Sequence, residues 1–296
     1  MQVADKPINA HLAVRVFTPL SVTGVKDLPI GVFYHGGGFA VGDLDADAAD
    51  AQYFAEHAGC VVVSVGYRLA PEVIYNDILQ DAIAGYEWVS LTWTHKHGIF
   101  PSHGLFSLTN HDVLKTLANA PALGGDPETV FAIGESAGAC LALQVTRAFI
   151  MKGQGSRVRG VVALCPLAAH PASVPPSYGK IYTAHEENGE GVPMIDRKVM
   201  ETFFASAKMN PTDPSHFITV SEELAQFPPT FIITTEKDPL RDDGVVLHEM
   251  LRDNGVAVKR QHYDGYGHVF WNFPMLKKRD VFLRDACAGI KFVLSR

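Results

Sequence analysis

Short apolar and β-branched runs alternate along this chain with longer amphipathic stretches. That alternation restricts the fold to the α/β class, a mostly parallel sheet with helices on both faces. Strands are expected over residues 12–17, 30–34, 61–65, 130–133, 160–165, 230–234 and 258–262. Helices are expected over 45–58, 78–89, 136–151, 197–207, 242–254 and 278–294. With 296 residues and 47% hydrophobic content, the chain can bury a sizeable core, and its length allows either two domains or one with an elaboration. Two stretches break the alternation. Residues 166–229 are rich in proline and carry a polar run at 186–190, which reads as a cap or lid leaving the sheet. Residues 90–117 show neither helical nor strand periodicity, where a helix should connect to the next strand.

Charge and cysteine usage narrow the function. Twenty-five Lys+Arg against 32 Asp+Glu leave a net charge of −7, which repels a phosphate backbone, so no nucleic-acid partner is expected. No apolar stretch approaches the ~18 residues of a membrane-spanning helix. Asp5, Lys6 and Pro7 stand where a secretory leader carries its apolar core, so no membrane partner and a cytoplasmic location are expected. Cys60, Cys140, Cys165 and Cys287 lack CxxC spacing and suit reduced thiols. His95, His97, His103 and His111 lie within 90–117 without acidic or Cys partners in a ligand pattern, and no metal is expected.

Gly134-Glu135-Ser136-Ala137-Gly138 follows the apolar run VFAI and opens a helix. A serine in that strand-turn-helix setting is held out on a sharp turn as a nucleophile, and the alternative is a plain N-cap serine. His35-Gly36-Gly37-Gly38-Phe39 follows the run IGVFY, and its consecutive glycines leave backbone N–H groups free to face an oxyanion. The amide of Ala137, at the start of a helix, is a further donor. A serine hydroxyl needs a base oriented by an acid, in the order Ser, acid, His. Asp238 and His268 follow two successive strands, in loops where such groups sit. Glu236, Asp242 and Asp243 compete for the acid, and His248 and His262 for the base. Phe39, Phe203, Phe204, Phe217, Trp271 and Phe273 could line a pocket or simply fill the core.

The ordered blocks HGGGFAVGDLD, SVGYRLAPE, LGGDPETVFAIGESAG, EKDPLRDDG and YGHVF resemble the hormone-sensitive-lipase-like branch of the α/β-hydrolase esterases. The resemblance implies a cofactor-free carboxylic ester hydrolase, folded as a single α/β-hydrolase domain over 1–296. It assigns Ser136 as nucleophile, Asp238 as orienting acid and His268 as general base. The amides of Gly37, Gly38 and Ala137 would form the oxyanion hole, with His35 and Gly36 in the same motif and Tyr67 to Glu72 bracing that region. Gly66 stands where the family usually carries an Asp, the N-terminal segment is too short for the family's cap helices, and residues 90–117 have no counterpart in the family, which makes them an insertion: a surface loop, a translated intron or a folded lid. The expected partner is a small-molecule ester, with a homodimer left open. The blocks also look like fungal members that remove acetyl groups from polyketide intermediates, which points to short acyl esters. Aryl amide deacetylation and a catalytically silent binding scaffold are the competing readings.

Overall fold

The computed structural model describes residues 1–22, 25–90 and 119–295. Among them an eight-stranded sheet runs in the order β1-β2-β4-β3-β5-β6-β7-β8. Its strands are β1 Gln2–Pro7, β2 Ala13–Thr18, β3 Leu28–Tyr34, β4 Val61–Gly66, β5 Gly125–Glu135, β6 Val161–Leu164, β7 Thr230–Lys237 and β8 Val258–Gly267. β2 is antiparallel to both β1 and β4, and the remaining pairs are parallel. The helices are α1 Ala48–Ala58, α2 Tyr75–Ser90, α3 Asn119–Ala122, α4 Ala137–Met151, α5 Ala184–Glu187, α6 Arg197–Ser206, α7 Arg241–Asp253 and α8 Arg279–Leu294.

The central strands, β3 to β7, are mostly apolar runs because helices cover both faces. Along β5, Val130 and Ala132 face one core while Phe131 and Ile133 face the other. The first core takes in α2, α4 and α7, and the second takes in α1 and α8. α1 serves the crossover from β3 to β4, and α4 the crossover from β5 to β6. The chain therefore leaves the neighbouring strands β3 and β5 in opposite directions, which opens a crevice above their carboxyl ends. No helix among the described residues is long and apolar enough to cross a membrane.

Several expectations shift. The residues before the first expected strand form another strand, β1, at the sheet edge. His262, expected to end a strand, lies inside β8. Ser90, assigned above to the insertion, ends α2 as a buried residue, with Arg157 donating to its carbonyl (2.8 Å) and its hydroxyl (3.0 Å). The rest of the expected insertion, with its four histidines, lies outside the described residues. Residues 166–229 leave the sheet after β6 and return at β7, carrying α5, α6 and several 3₁₀ turns.

Candidate active site

Four strand ends deliver the candidate groups: β3 leads to the 35–38 loop, β5 to Ser136, β7 to Asp238 and the end of β8 to His268. Ser136 has φ 55°, a conformation that favours glycine, and its side chain makes no helix-capping hydrogen bond. The hydroxyl instead lies 2.8 Å from His268 Nε2. His268 Nδ1 lies 2.7 Å from Asp238 Oδ2, and the other oxygen of Asp238 accepts the Leu240 amide at 2.8 Å. Thr235 Oγ1 also donates to Asp238 Oδ2, at 3.3 Å. With Nδ1–H donating to Asp238, Nε2 is left as the acceptor for the Ser136 hydroxyl.

The competing acids and bases are occupied elsewhere. Glu236 pairs with Lys237, and Asp242 accepts from the Arg241 guanidinium and the Thr183 and Ala184 amides. Asp243 accepts from the Ala168 and Ala169 amides and the Tyr182 hydroxyl. His248 pairs with Glu249, and His262 with Thr234 and Asp264. Among the described residues, the His/Cys/Asp/Glu group close enough to hold a metal ion is Cys165, Asp238 and His268. Two of its members already bond each other in the Ser136 line, and burial first of all pushes the Cys165 thiol well above its ordinary range.

The glycine loop is anchored from three sides. The Tyr67 hydroxyl donates to the His35 carbonyl at 2.8 Å, and its ring stacks on the His35 imidazole at 4.1 Å. The Ala70 amide donates to the Phe39 carbonyl at 2.8 Å, and the Gly36 amide donates to Asp47 Oδ2 at 3.0 Å. Arg68, from the same block as Tyr67, is held by Asp81 at 2.7 Å, so the 67–72 segment braces this loop. Burial lowers the His35 pKa, which keeps the imidazole neutral behind the loop. Among the described residues, the amides of Gly37, Gly38 and Ala137 donate to no protein acceptor.

Above Ser136 lies a cavity of about 300 Å³. Of the expected aromatics, Phe39, Phe203 and Phe204 line it. Phe217 is core, edge-on to Phe204. Trp271 is also buried, stacked on Phe282, and donates its indole N–H to Glu135 at 2.5 Å. Phe273 does not line the cavity. Three polar lining residues, Asp47, Glu135 and Asn272, were not singled out from the sequence. An acid at 47 reads there as an ordinary helix N-cap, although its side chain turns to Gly36 instead.

Comparisons with known proteins place the chain in a family. The profile of a family described as alpha/beta hydrolase fold matches residues 31–272. A versiconal hemiacetal acetate esterase of Dothistroma septosporum is 39% identical over 91% of this chain and 74% of its own length. The carboxylesterase NlhH of Mycobacterium tuberculosis is 31% identical over 90% of this chain and 73% of its own. Among solved structures, a hyperthermophilic esterase from the archaeon Pyrobaculum calidifontis superimposes with TM-score 0.80 at 27% identity, covering 98% of this chain and 83% of that one. The chain therefore belongs to the alpha/beta hydrolase fold family, as a carboxylic ester hydrolase of its hormone-sensitive-lipase-like branch.

Proposed function

We propose that Ser136 is the nucleophile, His268 the general base and Asp238 the residue that orients it, and that the substrate is an ester with a short, acetyl-like acyl group. The observation that carries this reading is the unbroken line from Asp238 through His268 to Ser136 Oγ, with both links under 3 Å. His268 Nε2 takes the hydroxyl proton as Ser136 Oγ bonds to the ester carbonyl carbon. The oxygen of the tetrahedral intermediate then carries the negative charge, facing the amides of Gly37, Gly38 and Ala137. Collapse breaks the ester C–O bond, and the alcohol leaves with the proton from His268. Water repeats the sequence on the acyl-enzyme, which releases the carboxylic acid and restores Ser136.

A short acyl group suits a cavity at the low end of the ~300–1,000 Å³ range of ligand pockets. The excursion at 166–229 acts as its cap, since Met200, Phe203 and Phe204 of α6 line the cavity. The physiological ester is an acetylated intermediate of fungal secondary metabolism, as the Dothistroma relative's name suggests. A cytosolic site of action belongs to the same reading, because the four cysteines are free and buried, as suits a reducing compartment.

Fluorophosphonate labelling and a p-nitrophenyl ester panel test the assignment. The wild type should be labelled and should hydrolyse butyrate and shorter esters faster than palmitate. Ser136→Ala should lose labelling and about 10³- to 10⁶-fold in activity. A labelled Ser136→Ala variant, or one retaining a tenth of the activity, would reject the nucleophile. Faster turnover of palmitate would reject the short-acyl reading, and an unlabelled wild type would favour a binding protein on the hydrolase scaffold.

A further inference from the structure

The cavity over Ser136 is apolar over most of its lining, with Phe39, Leu167, Met200, Phe203, Phe204 and Leu240 contributing. Its polar lining side chains, apart from Ser136 and His268, are Asp47, Glu135 and Asn272, and among the described residues no Lys or Arg lines it. The three form one connected group. Asn272 Nδ2 donates to Glu135 Oε1 at 3.1 Å and reaches Asp47 Oδ1 at 3.5 Å, while Trp271 Nε1 occupies Glu135 Oε2. Glu135 is buried, and that burial, followed by the charges of Asp47 and Asp50, pushes its pKa well above the usual carboxylate range. Asp47 is half-exposed and is one of the residues that line the cavity. One of its oxygens serves Gly36 at 3.0 Å, and the other has only the long contact to Asn272, which leaves acceptor capacity unused.

We propose that Asp47 is a specificity-determining residue, which admits neutral esters bearing a hydroxyl and excludes esters bearing an anion. The inference rests on the reading of Ser136 as nucleophile. A second negative charge brought into this cavity meets Asp47 across apolar walls with no cation to offset it, so an anionic ester binds poorly. A substrate hydroxyl instead donates to the under-used Oδ1. A site that hydrogen-bonds a hydroxyl discriminates against the analogue that lacks one, since the polar group is then left poorly paired.

The test compares phenyl acetate, 3-hydroxyphenyl acetate and 3-carboxyphenyl acetate, each rate divided by the ester's alkaline hydrolysis constant. The readout is the ratio of kcat/KM values within one enzyme. A ratio cancels any effect that changing Asp47 has on Gly36 and on the oxyanion loop. The wild type should favour the hydroxylated ester over phenyl acetate severalfold and disfavour the carboxylated one at least tenfold. Asp47→Asn should shrink the anion penalty at least fivefold, and Asp47→Ala should abolish the hydroxyl preference. If either variant fails to fold, Asp47→Ser, which removes the charge and keeps an oxygen to accept the Gly36 amide, is compared in its place. Raising ionic strength from about 0.05 to 0.5 M should relieve the penalty on the carboxylated ester and leave the phenyl acetate rate unchanged. Substrate ratios in Asp47→Asn equal to wild type, whatever the overall rate, would show that Asp47 only holds Gly36 and would overturn the inference. Hydrolysis of none of the three esters by a chain that fluorophosphonate does not label would instead reject the nucleophile reading beneath it.

Discussion

At the scale of single residues, the site depends on where each titratable group finds its partner. His268 is the histidine bonded to Ser136, while His248 and His262 are engaged with Glu249 and with Thr234 and Asp264. His268→Ala should therefore reduce kcat/KM by about 10³-fold or more, with the circular dichroism spectrum unchanged. Inactivation by His248→Ala or His262→Ala instead would require a different base. Asp243 presents a buried carboxyl whose effect is on stability. Burial is the largest influence and raises it, the Ala169 and Ala168 amides and the Tyr182 hydroxyl oppose that, and the outcome is a pKa of about 7. The folded chain thus keeps this proton up to about pH 7, whereas the unfolded chain releases it near 3.8. The contribution to stability is fully present below about pH 4 and is lost as pH rises toward 7. Asp50, likewise raised to about 7, behaves in the same direction and is unchanged in an Asp243→Asn variant. Asp243→Asn should accordingly show a smaller fall in thermal midpoint between pH 4 and 7 than the wild type. Parallel curves would contradict this account.

At the scale of elements, the turn between β5 and α4 is packed to the limit. A Cβ on Gly138 would sit 2.0 Å from the Tyr34 carbonyl oxygen at the end of β3, and one on Gly134 would sit 2.2 Å from the Gly138 oxygen. Those backbone atoms belong to sheet and helix and cannot move aside cheaply. Gly138→Ala should thus destabilise the fold by about 2–3 kcal/mol, the upper part of the overpacking range, read from the urea midpoint. Unchanged stability would mean that β3 and α4 lie farther apart than described. The same packing explains which elements were legible. Strands β3 to β7 are buried runs, and their apolar content marks them without reference to anything distant. β1 was missed because its residues are almost all exposed, so nothing in their composition distinguishes a strand from a loop. It exists because β2 offers an edge to pair with. β8 runs on to Gly267 because β7 continues to pair with it past Tyr263, and that extension moved His262 into the strand.

At the scale of the whole molecule, the two ends of the undescribed stretch at 91–118 lie close together. Asn119 donates its side-chain amide to the Trp88 carbonyl at 3.3 Å, and Ser90 is pinned by Arg157. A short connection can therefore replace that stretch, since loop-closure cost changes by only about 0.6 kcal/mol per doubling of length. Joining Ser90 to Asn119 through a few glycines should leave the ester-panel profile within about twofold of the full chain, because loop-closure entropy acts on folding stability and not on the groups around Ser136. A loss of more than tenfold in kcat/KM with an unchanged thermal midpoint would show that the stretch takes part in function. The order of residues along the chain marks the α/β class, the central strands and the five blocks that hold Ser136, Asp238, His268, the glycine loop and its 67–72 brace. Those signals are local: a strand's apolar run, a turn's glycines and the residue just past a strand are all written within about ten positions. Which side chains share the cavity depends on how the elements pack. Phe203 and Phe204 line it while Phe217 and Trp271 fill the core, although all four are equally apolar in sequence. The meeting of Asn272 with Asp47 spans 225 positions, and a contact of that range depends on the sheet and its helices closing around it. No local pattern encodes where two such side chains will point.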